Sequence, residues 1–125
     1  RVLGDLAINH IVPTAVAYQN RLLENLRGLR ETFPPEEYEE LSADRKELIR
    51  EISKRVTAIK MQVRQMTEAR KIANHKENYK DKAFAYEETV RPYLESIRQH
   101  IDHLEMEIDD EIWPLPKYRE LLFTK

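Results

Sequence analysis

Residues 49–73 read IREISKRVTAIKMQVRQMTEARKIA, and one set of positions in them recurs at alternating steps of three and four: Ile49, Ile52, Val56, Ile59, Val63, Met66, Arg70 and Ala73. That spacing is a heptad seam on a long helix. Apart from Arg70 the seam is apolar, while most of the residues between are charged or polar, so one narrow stripe must be buried against other helices. Arg70 fits as a side chain whose stem lies along the edge of the core with its head in water. Nothing on the stripe offers a nucleophile, a general base or a metal ligand, so the seam specifies architecture and no reaction.

Working outward, residues 2–33 continue the pattern. Ala15, Tyr18, Leu22, Leu26, Leu29 and Phe33 form a stripe from which Glu24, Arg27 and Arg30 fall away. Pro13 cannot donate to the carbonyl of Asn9, which predicts a kink in this first helix. Phe33-Pro34-Pro35 ends it. A single turn is expected over residues 36–41. Ser42 then reads as the N-cap of the central helix, with Asp44 and Glu47 in its first turns. On the other side, residues 74–82 lose the apolar period and predict the second reversal. Ala83, Tyr86, Val90, Tyr93, Leu94, Ile97, Ile101, Leu104, Ile108 and Ile112 restore it over a third helix, kinked at Pro92. Three helices of about 45 Å each can bury such stripes only side by side. The expected fold is all-α: an elongated antiparallel three-helix bundle with kinked first and third helices, followed by a short C-terminal helical turn after Pro116.

Composition agrees. The chain has 125 residues, 41% hydrophobic and 35% charged, with two glycines and no cysteine. A single helical domain spanning residues 1–125 is the expectation from that length. The absence of cysteine excludes disulfides and thiolate metal sites, and a cytoplasmic location is expected. A formal charge of −2 supplies no field to recruit nucleic acid or an anionic membrane, and neither is expected as a partner. No apolar run approaches the roughly 20 residues that span a bilayer.

Three clusters carry polar chemistry. His100, His103 and Glu107 share one face of the third helix at a spacing that could present two imidazoles and a carboxylate to a metal. Bundle metal sites gather Glu-x-x-His motifs from facing helices, and the chain has none, so these read as flank residues beside the Ile101/Leu104 seam. Asp109, Asp110 and Glu111 crowd the helix end, where the dipole disfavours them, and invite Lys117 or Arg119. Arg70, Lys71, His75, Lys76, Lys80 and Lys82, with Tyr79 among them, form a basic stretch diluted by Glu68, Glu77 and Asp81, the ordinary composition of a charged loop. No catalytic, cofactor-binding or metal-binding residue is assigned.

Two stretches are more specific. Leu3-Gly4-Asp5-Leu6-Ala7-Ile8-Asn9-His10-Ile11-Val12-Pro13-Thr14-Ala15, running on to Tyr18-Gln19-Asn20, and the ending from Asp109 through Trp113-Pro114-Leu115-Pro116-Lys117-Tyr118 to Phe123 closely resemble the C-terminal region of type III glutamine synthetases. The middle, with Ile59-Lys60, Met66 and Ala69-Arg70, is similar more loosely. The resemblance implies a parent enzyme that joins ammonia to glutamate at the expense of ATP, with magnesium or manganese held in a catalytic domain preceding this chain. It further implies assembly as stacked hexameric rings, so the partners expected are the catalytic domain of the same polypeptide and further copies of it. None of the family's metal, ATP or glutamate motifs matches a position here. The chain opens at Arg1 without a methionine and straight into a helical pattern, which is read as a piece of a longer protein. A free-standing helical adaptor or oligomerisation module is the other reading.

Leu3, Leu6, Ile11, Trp113, Leu115, Tyr118, Leu121, Leu122 and Phe123 are the packing or interface residues expected. Full burial of each large apolar side chain in the tail is worth roughly 1.5–3 kcal/mol, so the tail is expected to dock. The preferred surface is the start of the first helix around residues 3–12, and a neighbouring domain or subunit is the other. In a bundle of matched helices, that surface lies about 45 Å from the end of the third helix.

Overall fold

The structure, a computed structural model, describes residues 2–108. Three helical rods account for nearly all of them. The first comprises Val2–Leu6, a π-helical turn Ala7–Ile11, and Val12–Thr32. The central helix is Pro35–Asn74. The third comprises Tyr79–Ala85, a second π-helical turn Tyr86–Val90, and Arg91–Glu107. Among the described residues there is no strand, and no helix is long and apolar enough to cross a membrane. Ile112 and the expected C-terminal turn lie outside the described residues.

The seam organises the molecule as its spacing requires. Ile52, Ile59, Met66 and Ala73 are fully buried, and Ile49, Val56, Val63 and Arg70, on the flank of the same stripe, are half-buried. Against them the first helix sets Ala7, Ile11, Val12 and Ala15, and the third sets Val90, Ile97, Leu104 and Ile108, in one continuous core. Neighbouring rods are antiparallel. The Gln19 amide donates to the Ile49 carbonyl at 3.0 Å and to Ser53 Oγ at 2.7 Å, fixing the first rod against the central one. Tyr86 Oη donates to Asn74 Oδ1 at 2.7 Å on the other side.

At both internal prolines, where kinks were expected, the hydrogen-bond ladder widens by one residue. Val12 N–H reaches back to Ala7 O and Arg91 N–H to Tyr86 O, each one residue before a proline. A proline has no N–H to give, so the residue before it takes a carbonyl five back and the ladder resumes beyond the ring. Beside each turn a threonine hydroxyl bonds back to the carbonyl four residues earlier: Thr14 Oγ1 donates to His10 O at 2.8 Å and Thr89 Oγ1 to Ala85 O at 2.6 Å.

Two boundaries differ from the sequence reading. The central helix starts at Pro35, and there is no separate turn over 36–41. Pro35 has its φ already set for a first helical position and holds Pro34 extended (φ −63°, ψ 157°). The first-turn acids that meet the dipole are therefore Glu36 and Glu37, while Ser42 sits inside the helix. It is fully buried, its hydroxyl is unpartnered, and it caps nothing. The third rod starts at Tyr79 rather than Ala83, because Asn78 Oδ1 accepts from Asp81 N at 2.8 Å and caps it. The second reversal is residues 75–78.

The rods are also staggered and unequal, which changes the expected separation of the ends. The central helix has 40 residues, about 60 Å. The first rod enters beside its second half, since a Cβ on Gly4 would stand 3.5 Å from Val63 Cγ1 and 3.6 Å from Met66 Cε. The third rod ends at Glu107, where the charges of Glu51 and Arg55 act on its carboxyl. From Met66 to Glu51 is about 22 Å of helix, not 45 Å.

Candidate functional site: a polar cluster between the central and third helices

Glu51 and Arg55 are one helical turn apart, so both project from the same side of the central helix. Arg55 Nη2 lies 2.6 Å from Glu51 Oε1, and Nε donates to the same oxygen at 2.9 Å. This fork fixes the guanidinium and leaves Nη1 to reach His100 Nδ1 on the third helix at 3.2 Å. Guanidinium nitrogens only donate, so His100 accepts at Nδ1 and carries its proton on Nε2. The imidazole is held neutral: burial lowers its pKa first, then the Arg55 charge, then His103, with Glu51 opposing. Burial raises the pKa of the Glu107 carboxyl, helped by Glu51 and opposed by Arg55 and His103.

The residues singled out as a metal face thus separate. His100 is engaged with Arg55, while His103 Nδ1 donates to its own helix at Gln99 O, 2.8 Å away. Among the described residues no group of three His, Asp or Glu is placed to hold a metal ion. What the cluster can do is pair polar groups across a helix interface. Arg55, which the sequence reading did not single out as a site residue, ties two helices together.

The basic stretch keeps its dilution in space. Lys71 pairs with Glu68 at 3.5 Å, and His75 Nδ1 donates to Lys71 O at 2.7 Å. Tyr79 is 91% exposed. Of the packing residues expected, Ile11 is fully buried in this chain's own core, and Leu3 and Leu6 are half-buried against it. Trp113, Leu115, Tyr118, Leu121, Leu122 and Phe123 lie outside the described residues, as do Asp109, Asp110, Glu111, Lys117 and Arg119.

Fold and cluster together define a helical bundle whose central and third helices are joined by a polar contact. No family model matches the chain. Over all 125 residues it is 83% identical to part of the protein named glutamine synthetase in Bacteroides fragilis (strain YCH46). The chain spans 17% of the length of that relative.

Proposed function

We propose that this chain is the C-terminal helical domain of a type III glutamine synthetase and that it serves domain packing or oligomer assembly. The observation that carries the reading is the match of the entire chain, at 83% identity, to a segment making up 17% of a glutamine synthetase. At that identity a shared fold and a shared place in the polypeptide are the economical explanation. In this reading the parent ligates ammonia to glutamate with ATP and magnesium or manganese, works in the cytoplasm, and assembles as stacked hexameric rings. Glu51 and His100 are engaged with Arg55, and among the described residues no group of three His, Asp or Glu is placed to hold a metal ion. The contribution proposed for this chain is mechanical. Its core is closed by its own three helices, while Ile72 and Phe84 stand 64% and 68% exposed at the second reversal, where the first helix does not reach. Apolar surface of that kind suits contact with the rest of a larger enzyme.

The test begins with the coding sequence upstream of Arg1. A glutamine synthetase catalytic domain in the same reading frame supports the proposal. A start codon there with no such domain overturns it in favour of a free-standing helical module.

A further inference from the structure

The second reversal sets the end of the central helix, at Asn74, antiparallel to the start of the third rod, at Tyr79. Between them runs a groove of about 300 Å³, floored by Ile72, Phe84 and Ala85 and edged by Lys76 on the central side and by Asp81 and Glu88 on the third. Phe84 stands about 36 Å along the third rod from Ile108, the last described residue. Ile72 and Phe84 are 64% and 68% exposed, large apolar side chains whose burial would be favourable. The charges divide between the two walls, the cation on one and the carboxylates on the other. Neighbouring charges on the same hairpin are paired, Lys71 with Glu68 at 3.5 Å and Arg91 with Glu87 at 2.8 Å. Lys76, Asp81 and Glu88 have no ion-pair partner among the described residues.

We propose that this groove is a contact between two copies of this chain, in which Ile72 of each copy packs on Phe84 of the other and Lys76 of each pairs with Asp81 of the other. The occupant follows from how charge and shape divide. A two-fold axis running along the groove lays the central-helix wall of one copy over the third-rod wall of its mate, so cation meets carboxylate twice and each apolar side chain meets the unlike one. A nucleic acid or an acidic protein would satisfy Lys76 alone and be repelled by Asp81 and Glu88; a basic partner would meet the reverse conflict. A second copy carries both signs in the matching order. Two large side chains per copy fall short of the roughly 800 Å² per partner of a stable interface, so the contact is weak alone and works beside others in an assembly. The proposal deepens the assembly reading above and rests on it for its purpose. The coding sequence upstream of Arg1 tests the parent, whereas covalent trapping tests the contact.

The chain has no cysteine, so a single introduced thiol reports on a single position. The 125-residue chains carrying Ile72→Cys and Phe84→Cys are mixed with oxidised glutathione, and the disulfide dimers are counted by mass, with far-ultraviolet circular dichroism alongside. In the mixed pair the disulfide replaces one Ile72–Phe84 contact and its symmetric mate is kept. The mixed dimer should form severalfold faster than either like dimer, and severalfold faster than dimers of Tyr79→Cys, a position 91% exposed and outside the groove. Adding Lys76→Glu to both chains should remove that preference, and adding Asp81→Lys as well should restore it. A statistical mixture formed at the Tyr79→Cys rate overturns the proposal. So does a preference indifferent to the charge exchange, which means another register. Slow maleimide labelling of Phe84→Cys in a chain that forms no dimers also overturns it, giving the groove to another part of the same chain. A chain without helical dichroism contradicts it too, because both walls are helices of this chain.

Discussion

Arg55 Nη1 stands 3.2 Å from His100 Nδ1, across the interface of the central and third helices, and the bond exists only while that nitrogen is unprotonated. Protonating His100 would set an imidazolium against a guanidinium already fixed by Glu51. Its folded pKa lies below the ordinary 6.5, so the unfolded chain binds the proton more tightly. The associated stability is complete above the unfolded pKa and is lost as pH falls through 6.5 towards the folded value. Glu107, raised above 4.5, has the opposite sign: its cost is present above its folded pKa and is relieved as pH falls towards 4.5. Urea midpoints should therefore fall between pH 7.5 and 6. His100→Asn, which keeps an acceptor, should flatten that slope, and Glu107→Gln should leave it in place. A slope unchanged in His100→Asn would remove the cluster as its source.

The core assigns costs to particular side chains. Ile59 is fully buried at the middle of the seam, while Met61, two residues on, is 49% exposed. Ile59→Ala should cost about 2–5 kcal/mol, through lost transfer energy and the cavity left behind. Met61→Ala should stay within about 0.5 kcal/mol. Chemical denaturation of the two variants side by side checks the burial pattern, and equal losses would contradict it.

Both glycines lie within helices and neither has a positive φ. Gly28 has nothing within 4 Å of where a Cβ would stand, and at Gly4 the nearest atoms are at ordinary contact distance. Gly28→Ala and Gly4→Ala should each stabilise by about 0.4–1 kcal/mol, by restricting the unfolded chain without straining the folded one. A loss at Gly4→Ala, read from thermal melting, would mean that the first rod lies closer to Val63 and Met66 than described.

Asn78→Ala removes the acceptor for Asp81 N and should cost about 0.5–2 kcal/mol. Asn78→Asp should retain most of it. Amide exchange at Asp81 should quicken selectively in the alanine variant; an unchanged rate there would show that the cap does not hold this helix start.

How much of this was legible in the sequence follows from what each feature depends on. The stripe from Ile49 to Ala73 is read correctly because three helices meet there and every seam position has a neighbour. Over residues 35–48 the central helix has one described neighbour, the apolar period is diluted by Glu36, Glu37, Glu39 and Glu40, and Ser42 was mistaken for a cap. The stronger signal was Pro35 at the first helical position. The π turns hide behind Pro13 and Pro92, because a change of hydrogen-bond ladder leaves the stripe intact. The Arg55–His100 pairing joins residues 45 apart and depends on lateral register between helices, which no local pattern encodes.

The central claim is that this chain acts by packing within a larger enzyme. It is tested most directly by placing Ile59→Ala in the full-length glutamine synthetase proposed as the parent and measuring assembly mass by light scattering with turnover per assembled site. The account predicts that assembly weakens with the bundle while the assemblies that remain turn over near normally. Intact assemblies with selectively lost turnover would contradict it, because the bundle would then be part of the chemistry.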